Sequence, residues 1–169
     1  MRGIGWRLVG GKDVPWPSSR AVGPHGWVQA AAFLLAGILV LLFALGLRRA
    51  LPAGRWSTTA FVLVLLAGAA LTASAFPVDS SMISTGSPST WHGIVHGVAF
   101  LVLLPCLLLA PLAAWAGVRR AEGWTARGRL SLAATPVMVA LLAVPLGAVA
   151  FFLVLAVAFT WPAVLARSL

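Results

Sequence analysis

Four long apolar runs, each closed by a basic or helix-breaking signal, organise this chain. The first extends from Trp27 to Leu47 and meets Arg48-Arg49; the second extends from Ser57 to Phe76 and meets Pro77. A third runs from His92 to Val118 ahead of Arg119-Arg120, and the last from Leu132 to Thr160 ahead of Trp161-Pro162. About 20 helical residues rising 1.5 Å each cross a hydrocarbon core of roughly 30 Å. The pattern therefore predicts membrane spans over 27–47, 57–76, 92–118 and 132–160. The last run is long for one crossing and short for two plus a turn, so it predicts one tilted span kinked at Pro145. The expected fold class is all-α: an integral membrane helical bundle of about four transmembrane helices. It would occupy residues 27–163, with an irregular tail over 1–26 and a short C-terminal tail over 164–169.

Polar punctuation gives this bundle an orientation. Trp27, Trp56, Trp91, Trp115 and Trp161 fall at or near predicted span ends, where indole rings favour the headgroup region. They read as interface anchors. Arg48, Arg49 and Arg55 occupy the first loop, and Arg119, Arg120, Arg127 and Arg129 the third, while residues 77–90 carry no Lys or Arg. The positive-inside rule puts the first and third loops in the cytoplasm and loop 77–90 on the extracytoplasmic side of the cell membrane. Both termini would then lie outside, with Arg2, Arg7, Lys12 and Arg20 of the tail standing against the rule.

Composition agrees with the membrane reading. Of 169 residues, 61% are hydrophobic and only 9% charged, against roughly 25% charged in a soluble domain. The net charge of +9 reads first as membrane orientation, because Lys and Arg collect in cytoplasmic loops, so nucleic acid is not an expected partner. Cys106, the single cysteine, excludes an intrachain disulfide and reads as a small packed hydrophobe inside the third run. No continuous apolar core follows the N-terminal basic residues before Trp27, so a cleavable signal peptide is not expected.

Against this background the ionisable residues are conspicuous. The chain has three acidic residues and three histidines, and Asp79, His92 and His96 cluster between two spans. Ionisable groups beside hydrocarbon are costly, which makes the cluster the candidate site. Pro77 stops the second span, so Asp79 should lie just beyond it, and Thr90 or Ser89 can cap the third. His92 and His96, four residues apart, share a helix face, a spacing that can chelate a transition metal with Asp79 as an oxygen ligand. The glutamate of a zinc-protease helix is absent, with Gly93 in its place. Structural hydrogen bonding through Asp79 is the commoner use of such residues. Gly93 and Gly97 form a small-xxx-small pair suited to close helix packing, and His25 lies on the same predicted side. The arginine pairs can meet anionic headgroups but read first as topology determinants.

The run Ala75-Phe76-Pro77-Val78-Asp79, a polar loop, and Gly93-Ile94-Val95-His96-Gly97 resemble a bacterial membrane family catalogued as domain of unknown function 998. The resemblance carries Phe76, Pro77, Asp79, Gly93 and His96 as motif positions; His92 is outside the motif, which weakens a metal pair built on it. It covers Trp27 to Arg120 well and the last span loosely. Six-span members imply that this chain is a shortened member, and the family implies a fold without a reaction.

The leading functional expectation is a non-enzymatic multi-pass membrane component, without a cofactor, that interacts with lipid, a partner membrane protein or further copies of itself. The alternative is a metal-dependent lipid hydrolase holding zinc at Asp79, His92 and His96 in the outer leaflet. A small-solute or proton-coupled carrier is third, opposed by the absence of charge deep inside any span.

Overall fold

The computed structural model describes residues 6–7, 13–14, 25–79, 88–121, 123–144 and 148–166. Five helices form the described bundle: α1 (Gly26–Ala50), α2 (Arg55–Ala73), α3 (Trp91–Val118), α4 (Thr125–Ala143) and α5 (Ala148–Ala166). Four of them are long and apolar enough to cross a membrane. The fifth has 19 residues, a length of about 28 Å at helical rise. In the N-terminal tail, β1 (Trp6–Arg7) pairs antiparallel with β2 (Asp13–Val14), a local order that the irregular reading of residues 1–26 did not anticipate.

The run over 132–160 is two helices, not one kinked span. Val144 has φ −80° and ψ 132°, an extended conformation that ends α4. Pro145 follows, and its ring disfavours the α region at the preceding residue. Two helices fit because α4 starts seven residues before the expected limit, with Arg127 and Arg129 in its first turns. Long arginine side chains lie along apolar surface while their heads reach water, so a helix can begin below its apolar run. At the other end α5 continues to Ala166, taking up residues assigned to a C-terminal tail.

Neighbouring helices alternate in direction. Trp161, late in α5, donates its indole N–H to Ser131 Oγ, early in α4, at 3.0 Å. Its ring also meets Phe43, late in α1, edge-on at 5.9 Å. One end of the bundle thus carries Arg48, Arg49, Arg55, Arg119, Arg120, Arg127 and Arg129, and the opposite end carries Asp79. Trp27, Trp56 and Trp91 are exposed near helix ends, as anchors would be. Trp161 corrects that expectation: it is buried and ties three helices together.

The core is built for close approach. Leu47, Ala44, Ala60, Val64, Ala67, Leu103, Cys106, Ala110, Met138 and Val154 are buried, with small residues prominent. At the α1–α2 crossing, a Cβ on Gly37 would collide with Thr72 Oγ1 and come within 2.7 Å of the Thr72 nitrogen. One on Gly68 would lie 2.8 Å from Leu41 Cγ. In lipid, helix association relies on such van der Waals contact, so glycine at the crossing allows the backbones to meet. Within α3, near Pro111, the Leu108 carbonyl accepts a 2.6 Å bond from Thr135 Oγ1 of α4, a hydroxyl supporting a proline-containing helix from its neighbour.

Candidate functional site

The segment after α2 turns back over the start of α3. The last turn of α2 ends with Ser74 N–H on the Ala70 carbonyl and Phe76 N–H on the Ala73 carbonyl, and Pro77 cannot extend the ladder. Asp79 is thereby brought against the N-terminus of α3. The described residues resume at Pro88, and residues 80–87 of the Ser/Thr-rich loop lie outside them.

Asp79 closes this corner. Its Oδ2 accepts from the backbone N–H groups of Ser89 at 2.8 Å and Thr90 at 2.9 Å. Its Oδ1 accepts from the Thr90 hydroxyl at 2.5 Å. Thr90 is the N-cap, in extended conformation, and its Oγ1 accepts from Gly93 N–H at 3.2 Å. A single threonine therefore donates to the carboxylate and accepts from the first turn of α3. The Thr90 hydroxyl, together with the Thr90 and Ser89 N–H groups and His92, holds the Asp79 carboxyl below the usual carboxylate range, against the opposing effect of burial. The negative charge also complements the positive end of the α3 dipole.

Gly93 makes room for that carboxylate. A Cβ at Gly93 would overlap Asp79 Oδ2 and lie 2.6 Å from Asp79 Cγ. The expected helix-packing use of Gly93 is thus replaced by a more specific one: it receives the acidic side chain. Gly97 is half-buried, and the observed glycine crossing belongs to Gly37 and Gly68.

The two histidines diverge. His92 Nδ1 approaches Thr90 Oγ1 at 2.9 Å, the Pro77 carbonyl at 3.3 Å and Asp79 Oδ1 at 3.4 Å. The carbonyl and the carboxylate accept only, so Nδ1 carries the hydrogen. His96 is buried, and its Nδ1 donates to the Phe76 carbonyl at 3.0 Å, again because a carbonyl has no proton to offer. Its ring meets Phe33 of α1 edge-on at 6.1 Å. Phe76 and Trp91 stack edge-on at 5.4 Å above the corner. Asp79 and His92 are together, whereas His96 anchors a separate point one turn along α3. Among the described residues no three His, Cys, Asp or Glu side chains converge as a metal-ligand set. His25 is exposed and makes no hydrogen bond to this cluster among the described residues.

The sequence pointed to Asp79, His92, His96 and a cap at Thr90 or Ser89, but not to the Phe76 carbonyl or Phe33. The carbonyl leaves no trace in a side-chain pattern. The Phe33–His96 contact depends on how α1 packs against α3.

Below the corner lies a cavity of about 220 Å³, lined by residues of α1, α2, α3 and α5, with His96 and Ser74 as its polar members. At the opposite end three arginines stack on tryptophans: Arg55 on Trp56, Arg119 on Trp115 and Arg127 on Trp124, at 4.9 to 5.5 Å. Such pairs hold a cation and an indole together where both meet headgroups.

Antiparallel apolar helices with their charged residues confined to the two ends define an α-helical multi-pass membrane protein. The chain belongs to the family described as "Protein of unknown function (DUF998)", which it matches over residues 18–168. That match takes in α4 and α5, so it reaches beyond the stretch ending at Arg120 that the motif resemblance covered well. No curated protein and no solved structure matches it.

Proposed function

We propose that this protein is a non-enzymatic component of the cell membrane that interacts with lipid, and that Asp79 is a lock joining α2 to α3. One observation carries the reading: the Asp79 carboxylate is already spent. Three hydrogen bonds from Ser89 and Thr90, with His92 beside Oδ1, occupy the roughly four lone-pair positions a carboxylate offers. A carboxylate acting as metal ligand or general base needs a free lone pair turned toward substrate. The arginines gathered at the far end support a cytoplasmic assignment for that end and an extracytoplasmic one for loop 77–90.

Metal analysis of the detergent-purified protein tests this, with Asp79→Asn and His96→Ala alongside. The expected result is lowered thermal stability in Asp79→Asn without loss of any stoichiometric metal. Stoichiometric zinc in the wild type that disappears in both variants would overturn the reading in favour of an outer-leaflet lipid hydrolase.

A further inference from the structure

The cavity beneath the Asp79 corner has a polar end and an apolar body. At the polar end are His96 and Ser74. His96 has its Nδ1 hydrogen on the Phe76 carbonyl, and its Nε2 has no hydrogen-bond partner among the described residues. In the neutral ring Nε2 is then a lone-pair acceptor. Ser74 has its hydroxyl hydrogen on the Ala70 carbonyl at 2.9 Å, so it too presents lone pairs. Both polar groups of the lining are acceptors, and the complementary ligand atom is a donor.

The body of the cavity runs along the bundle axis away from that end. Leu103 lies seven residues beyond His96 on α3, and Phe159 eight beyond Phe151 on α5, a depth of roughly 10 Å by helical rise. Its volume is about 220 Å³. An apolar cavity near 150 Å³ accepts one benzene ring, so by proportion this one takes roughly nine carbons. The cavity is open to the surface of the bundle, where the lining residues Ala32 and Phe100 are exposed.

We infer that this cavity binds a single-chain amphiphile whose O–H headgroup hydrogen-bonds His96 Nε2 while its alkyl chain lies against Phe100, Leu103, Phe151 and Phe159. A carboxylic acid and an alcohol share the required donor; with the acid, one proton between the carboxyl oxygen and Nε2 serves whichever group holds it. The acyl chain of an intact phospholipid has no such donor and would enter without regard to His96. This inference rests on the reading that the protein interacts with lipid without transforming it.

The test uses the full chain in detergent with a diazirine-bearing decanoic acid as photoprobe and unlabelled decanoic acid, decanol and methyl decanoate as competitors. Labelled peptides are expected to map to α1, α3 and α5. A net hydrogen bond corresponds to roughly threefold to tenfold in affinity, so acid and alcohol should compete that much better than the ester. His96→Ala should abolish the preference. Ala36→Phe, which fills the cavity and leaves His96 in place, should suppress labelling while the protein still runs as a monodisperse peak. Equal competition by the ester, or labelling unaffected by Ala36→Phe, would overturn the inference. Hydrolysis of methyl decanoate by the protein would instead overturn the non-enzymatic reading and leave the binding site standing.

Discussion

The Asp79 carboxyl group rests on the α-carbon of Gly93, so close that a single added methyl carbon would lie 2.6 Å from its Cγ. This contact joins a residue beyond the end of α2 to the first turn of α3 and makes the loop between them a fastening. Gly93→Ala should expel the carboxylate and cost about 1–3 kcal/mol, the usual penalty for overpacking a filled site. Thermal melts in detergent would check it, with Gly97→Ala expected to be the milder change. Equal melting temperatures for Gly93→Ala and the wild type would remove the contact's importance.

The same fastening has a pH signature. Hydrogen bonds, foremost from the Thr90 hydroxyl, lower the Asp79 pKa in the folded protein. A carboxylate with a depressed folded pKa contributes stability above its unfolded value, near 4. That contribution declines as pH falls through the folded value. The difference in melting temperature between wild type and Asp79→Asn should therefore be constant from neutral pH to about 5 and shrink below about 4. A gap that widens on acidification would contradict the assignment.

Thr90 serves two partners at once and gives a substitution series. Thr90→Ser should retain most stability, since the hydroxyl is kept. Thr90→Val should lose about 1 kcal/mol or more for the missing cap alone. If Thr90→Val and Thr90→Ser melted together, the hydroxyl would be shown to be dispensable.

Trp161 and Ser131 tie α5 to α4 through one buried hydrogen bond. A double-mutant cycle with Trp161→Phe and Ser131→Ala should yield a coupling of about 0.5–1.5 kcal/mol, the net value of such a bond. Additive effects would mean that the bond contributes nothing beyond packing.

Five antiparallel helices deliver the chain end of α5 to the arginine-rich end of the bundle, whereas four spans would deliver it to the Asp79 end. A fluorescent reporter fused after Leu169 should therefore be cytoplasmic. In a Cys106→Ser background, Ser84→Cys should react with an impermeant maleimide from outside intact cells. A dark reporter with a labelled Ser84→Cys would instead put the end of α5 on the same side as loop 77–90.

Much of this was readable along the chain. Apolar runs ended by Arg-Arg pairs or Pro77 marked α1, α2 and α3, because bilayer thickness sets a minimum length and interfaces favour charge. Asp79, His92, His96 and a cap at Thr90 or Ser89 were legible because polar groups are few in such a chain. The end of α4 at Val144 was misread as a kink within one span, since hydropathy alone excluded the arginine-bearing first turns of α4.

By itself the sequence determined a helical membrane bundle with a polar corner at one end and arginines at the other. Only the tertiary structure decided how the corner is bonded. A carboxylate can bind metal, accept a proton or tie down backbone N–H groups, and the outcome depends on which donors come within about 3 Å. Here the chain folds Ser89, Thr90 and Gly93 around Asp79 and turns His96 toward the Phe76 carbonyl, which separates the two histidines and leaves one imidazole nitrogen without a partner among the described residues, beside an apolar cavity.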